Sequence, residues 1–304
     1  MKTFEKSFSL VSDPRTLYLT SFLNDTIDKV DYTIQNRQGL SCIMGDVGLG
    51  KTSILRLLNW RYEDDKENYV TALIPMPNFQ SDFAMLKQIC IDFRLTIKRS
   101  LFEQQKVLES WLIEQYQLGK NVVVFIDESQ KLKPKELELV RMFLNFESFD
   151  HKLIQVILTG QLELRNKLLQ PSNKALYSRI FATSILAPLN LEETCKMISF
   201  RCQVSGAENP FSDETMEAIY KLTKGVPRDI VKICIHAYRE ATKQQKLISP
   251  EIVQSVSKQI REESEENHEE KANRGELPDI QPNVKSNSRK SKTTKAKSAK
   301  PSFK

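Results

Sequence analysis

Gly45-Asp46-Val47-Gly48-Leu49-Gly50-Lys51-Thr52 is the stretch from which the rest of the chain is read. It fits G-x-x-x-x-G-K-[ST] at every fixed position. The apolar run GLSCIM (39–44) precedes it and the amphipathic KTSILRLLNWRY follows, so it joins a short buried strand to a helix. Glycines at such a junction let successive backbone N–H groups point at one anion, helped by the positive end of the helix. The expected ligand is ATP, held by Gly45, Asp46, Val47, Gly48, Leu49, Gly50, Lys51, Thr52 and Ser53. Lys51 would reach the β- and γ-phosphates, and the Thr52 hydroxyl would hold Mg2+.

Outward from this loop, YVTALIPM (69–76), NVVVFID (121–127), KLIQVILT (152–159) and RIFATSILAP (179–188) read as four further strands. Helical patterns fill the gaps, including SDFAMLKQICIDFRLTI, LFEQQKVLESWLIEQYQ and KPKELELVRMFLNF. Strands alternating with helices predict an α/β sandwich with a parallel sheet covered on both faces. The third strand ends in Asp127-Glu128, with Asp127 75 residues after Thr52. Adjacent carboxylates there fit a Walker B element, in which Asp127 would bind Mg2+ and Glu128 would orient the attacking water.

After about Leu189 the strand signals stop, and four amphipathic helices follow. Asn190 with Glu193, Ser212-Asp213 with Glu214, and Ser249-Pro250 supply their starting signals. The expected organisation is a nucleotide-binding base (1–188), a helical lid (189–261) and a largely disordered charged tail (262–304), whose acidic run Glu262–Glu270 reads as a solvated helix end. Lys285 to Lys304 carries eight basic residues and no acidic one. Taking that +8 from the overall +6 leaves −2 on residues 1–284, so the tail makes the chain basic. The five cysteines and three histidines are scattered, which argues against a zinc or nucleophilic-cysteine enzyme. No apolar run approaches the ~20 residues of a membrane span, and the N-terminus lacks a signal-peptide core, so a cytoplasmic protein is expected.

Three more polar residues are candidates. Arg228, in Gly225-Val226-Pro227-Arg228, opens a lid helix and would meet the γ-phosphate from above. Arg179 lies at the start of the last predicted strand and would act as an arginine finger in a neighbouring subunit. Gln161, just after the fourth strand, would sense the γ-phosphate.

SDPRTLYLT, GDVGLGKTSILRLL, VVVFIDESQKL, LNFESFDHKLIQVILTGQLELRNKL, YSRI and GVPRDI together resemble the ExeA/GspA-type AAA+ ATPases over residues 8–260. The broader group includes ATPases of the TnsC and MuB kind, which select targets for DNA transposition. The resemblance implies an αβα base, a helical lid and a homo-oligomer, ring or filament, with ATP between subunits. It also matches Gln161, Arg179 and Arg228 to residues of the family's motifs. Secretion-type members continue into a membrane span and a cell-wall-binding region, where this chain has a basic tail. The resulting expectation is an ATP-dependent switch on double-stranded DNA, a TnsC-like regulator working with transposase or target-selection proteins. The alternative is a secretion or envelope-assembly ATPase acting through a protein partner. A small-molecule kinase lacks a visible acceptor pocket, and a replication initiator lacks a helix-turn-helix after the lid.

Overall fold

A computed structural model describes residues 2–273; the basic stretch 285–304 lies outside them. Five parallel strands, β1 (Leu40–Met44), β2 (Tyr69–Ile74), β3 (Asn121–Ile126), β4 (Ile154–Gly160) and β5 (Ile180–Ile185), pair in the order β2-β3-β4-β1-β5. The three inner strands are buried along their whole length, whereas edge strands β2 and β5 are partly exposed. That burial explains why the inner strands read as continuous apolar runs.

Alternation along the strands divides the core in two. Cys42, Val124, Ile126 and Leu158 face α4 (Asp82–Asp92), α5 (Leu101–Gln117) and α6 (Pro134–Phe143). The short helices α7 (Leu162–Leu168) and α8 (Lys174–Tyr177) complete that layer. Ile43, Val123, Phe125 and Ile157 face α2 (Ser21–Gln35) and α3 (Lys51–Asp64). The sequence expectations omit α2, although Leu23, Ile27, Val30 and Ile34 recur at helical spacing and Thr20 caps it by accepting from Leu23 N–H.

The helical region holds α9 (Leu191–Val204), α10 (Asp213–Thr223), α11 (Pro227–Gln244) and α12 (Pro250–Asn273). Asn190 and Glu193 form a capping box on α9, and Ser212 accepts from Thr215 N–H to start α10. Of the described residues, those up to 259 form one compact unit, and those from 260 on belong to a second. The helix of α12 runs on through the acidic stretch from Glu262, which the sequence reads as a solvated helix end. Glu, Lys and Ala are strong helix formers, so a charged segment without Pro or Gly extends the helix already begun.

An N-terminal helix, α1 (Lys2–Ser7), has no counterpart among the sequence expectations. Its Phe4 ring stacks on Tyr238 of α11 at 4.0 Å, and Glu5 pairs with Arg239. The chain therefore begins on the helical region before crossing to the sheet.

Gly225 fixes the start of α11. Its φ of +77° is open to glycine, and a Cβ there would lie 1.8 Å from the Leu189 carbonyl oxygen. In turn, Leu189 N–H donates to the Gly225 carbonyl at 2.9 Å.

Candidate active site

The loop after β1 turns through two left-handed glycines, Gly48 (φ +87°) and Gly50 (φ +90°), before α3 starts at Lys51. A side chain at Gly48 would also strike Val226 and Arg228, so glycine permits both the turn and the approach of the helical region. Leu49 points the other way and is buried with Ile43, Ile54 and Leu186, anchoring the loop in the core. Gly45 N–H donates to Gly160 O at 3.2 Å, tying the loop's entry to the end of β4.

Lys51 is buried, and its ammonium donates to Gly45 O (2.8 Å) and Asp46 O (2.7 Å). Burial pushes its pKa below the ordinary value, opposed by the charges of Glu128 and Asp127 and assisted by Arg228. One cation thus stands among two carboxylates and a second cation, a set whose formal charges cancel.

Asp127 at the end of β3 is buried and accepts from Thr52 Oγ1 and Thr159 Oγ1, each at 2.6 Å, and from Glu128 N–H at 2.9 Å. This carboxylate is oriented by three donors from three elements. Glu128 sits in the left-handed region at φ 50°, an uncommon conformation for a non-glycine residue. Its Oε2 accepts from Gln130 Nε2 at 2.9 Å and lies 3.7 Å from Lys131 Nζ. Gln130 also accepts from Gln161 N–H at 3.1 Å, so one amide joins the end of β3 to the end of β4.

A cleft of about 310 Å³ opens over these groups. Its lining includes Val47, Gly48, Gly50, Lys51, Thr52 and Ser53 from the loop, Glu128 and Gln161 from the strand ends, and Arg228 from α11. Arg228 N–H donates to Gly48 O at 3.2 Å, so α11 begins directly on the phosphate-binding loop. Of the expected site residues, Gly45, Asp46, Leu49 and Asp127 are outside this lining, Asp46 exposed and the other three buried. Arg179 is elsewhere. It precedes β5, level with the start of β1, roughly 20 Å along the strands from the loop at ~3.3 Å per residue. There it donates to Ala175 O (2.7 Å) and Asn145 Oδ1 (3.3 Å).

Several contributors are absent from the sequence expectations. Ser9–Ser12 and Arg201 line the cleft opposite the loop. Burial holds the Arg201 guanidinium down, to about 10, while Cys234 and Asp13 pull it up. Thr159 and Gln130 act through bonds to Asp127 and Glu128. Ser12, Gln130 and Thr159 fall within stretches that carry the family resemblance, but only the fold brings them onto this cleft and these carboxylates.

Residues 34–168 match the family model described as an AAA domain. The ORC2 protein of Aeropyrum pernix, solved as ADPNP–ADP complexes, superposes with a TM-score of 0.64 at 15% identity, covering 83% of this chain and 71% of that one. Cdc6p from Pyrobaculum aerophilum gives 0.62 at 17% identity over 84% and 71%. The Thermotoga maritima RuvB Holliday junction branch migration motor gives 0.52 at 17% over 77% and 68%. In fold, in the Gly45–Thr52 loop and in the family match, the chain is similar to the P-loop ATPases of the AAA+ class. At the level of a particular relative, the chain is similar to General secretion pathway protein A of Aeromonas hydrophila, 32% identical over 239 residues. That similarity covers 77% of this chain and 42% of the relative, so the chain spans about two fifths of the protein it matches.

Proposed function

We propose that this ATPase is a nucleotide-driven switch for secretion or envelope assembly, acting through a protein partner. The identity with General secretion pathway protein A carries this reading. None of the relatives named above is a transposition protein, so the TnsC-like reading, with transposase or target-selection partners, lacks comparable support. No helix among the described residues is long and apolar enough to cross a membrane. The need for ATP puts the working site in the cytoplasm.

The residues present fit ATP and Mg2+. Glycine amides and Lys51 suit the phosphates, and one hydroxyl with one carboxylate, Thr52 and Asp127, suits an ion that keeps most of its waters and borrows phosphate oxygens. When bound, Mg2+ supplies charge neutralisation on the phosphates. Lys51 orients the terminal phosphates, Glu128 positions a water and accepts its proton, and Gln161 and Arg228 respond to the γ-phosphate. Arg179 enters the cleft of a neighbouring copy in a ring or filament. Gln130 then links the proton-accepting carboxylate to the backbone at Gln161.

ATP hydrolysis measured with duplex DNA and, separately, with detergent-solubilised envelope proteins tests the reading. Stimulation by the envelope fraction and indifference to DNA are expected. Stimulation by DNA alone would overturn it in favour of a DNA-bound switch.

A further inference from the structure

We propose that the turn joining α4 to α5 docks onto an anionic lipid bilayer. The turn is built to present its side chains. Arg94, at φ 58°, closes α4, with Leu95 N–H returning to Cys90 O at 2.8 Å and the Leu95 side chain packing on the core. Gln104, fully buried, donates from Nε2 to Thr96 O (3.2 Å) and accepts from Lys98 N–H (2.7 Å). The backbone is pinned while Arg94, Ile97, Lys98 and Arg99 all face solvent.

Phe102, 63% exposed, and Ile97, 40% exposed, stand among these cations, and Lys106 Nζ lies 4.4 Å from the centre of the Phe102 ring. None of Arg94, Lys98, Arg99 and Lys106 forms an ion pair among the described residues. Glu103 is occupied at the helix cap, where it accepts from Ser100 Oγ. None of these residues lines the nucleotide cleft.

Cations surrounding exposed apolar side chains match the headgroup–acyl boundary, where the apolar groups insert and the cations meet lipid phosphates. A duplex offers phosphates, but it takes apolar side chains only where base steps are unstacked and the helix kinked, a cost that a bilayer does not impose on Ile97 and Phe102. An unpaired base would stack on Phe102, but Lys106 already lies over that ring. This goes beyond the proposed function, since it assigns a surface independent of the protein partner.

Co-sedimentation of the full chain with vesicles tests the proposal, comparing phosphatidylcholine alone with phosphatidylcholine containing phosphatidylglycerol. Binding to the anionic vesicles only, weakened by salt, is expected. At about fivefold per cation, Arg94→Glu with Lys98→Glu and Arg99→Glu weakens it by at least about a hundredfold. Ile97→Ser with Phe102→Ser weakens it about tenfold. The tail's cations remain in every variant, so a loss reports the turn. ATP hydrolysis and thermal unfolding are followed in parallel, with the mild pair Lys98→Ala and Arg99→Ala in reserve should the triple variant misfold. Unchanged vesicle binding in the charge variants would overturn the proposal. So would duplex DNA binding that the charge variants abolish while the apolar variant leaves vesicle binding intact.

Discussion

The two ends of the sheet hold arginine in different settings. At the C-terminal end, Arg228 lines a cleft already furnished with Lys51, Thr52, Glu128 and Gln161, and its own backbone is bonded to the loop. At the N-terminal end, Arg179 donates to Ala175 and Asn145 among the described residues, far from any phosphate its own chain would hold. On the proposed function, the first arrangement would bind nucleotide within one copy and the second would offer its cation to a neighbouring one. A site split in this way would make hydrolysis depend on assembly, because one copy alone would lack a charge that stabilises the transferring phosphoryl group.

The comparison can be broken from either end. Glu128→Gln is expected to have the largest effect, lowering hydrolysis by about 10²–10⁴-fold while equilibrium ATP binding stays near wild type. A parallel loss of binding would show that Glu128 holds the loop rather than the water. Arg179→Ala should lower hydrolysis by about 10²–10³-fold with ATP affinity retained. Mixing it with Lys51→Ala protein should then restore part of the activity, because one copy supplies an intact cleft and the other an intact finger. Absence of recovery would confine Arg179 to its own subunit. Lys51→Ala should weaken ATP binding by roughly 10–150-fold, as read by titration with a fluorescent ATP analogue, since a hydrogen bond to a charged group is worth ~1.5–3 kcal/mol. The smallest change sharpens the C-terminal end alone. Gln130→Ala removes the link between Glu128 and Gln161 and should slow hydrolysis about tenfold, the loss of one hydrogen bond to a carboxylate, without altering affinity.

Much of this was legible in the chain because it depends on local spacing. The phosphate loop, the Asp127-Glu128 pair and all five strands sit where the apolar runs put them, since short buried strands flanked by turn residues leave little freedom. The caps of α9 and α10 were equally readable from Asn190 and Ser212. What the sequence concealed is what depends on distance in space. Thr159 is an ordinary strand residue until parallel pairing brings β4 beside β3 and its hydroxyl onto Asp127. Arg201 falls within a helix whose own period gives no sign that one guanidinium borders a cleft formed by another part of the fold. Phe4 and Phe8 are two apolar residues near a terminus, and only the rings of Phe211 and Tyr238 give them a site.

The contact between Gly225 and Leu189 sets a rule for recombining this protein with its relatives. A methyl group at 225 would fall 1.8 Å from the carbonyl of residue 189, and the amide of 189 is bonded back to the carbonyl of 225. The three atoms nearest such a methyl all belong to the backbone of residue 189, so the rule falls on residue 225 alone. A chimera can cross over on either side of Leu189, or between the two positions, as long as the parent that supplies the corner brings glycine. The first methyl at that corner closes the joint.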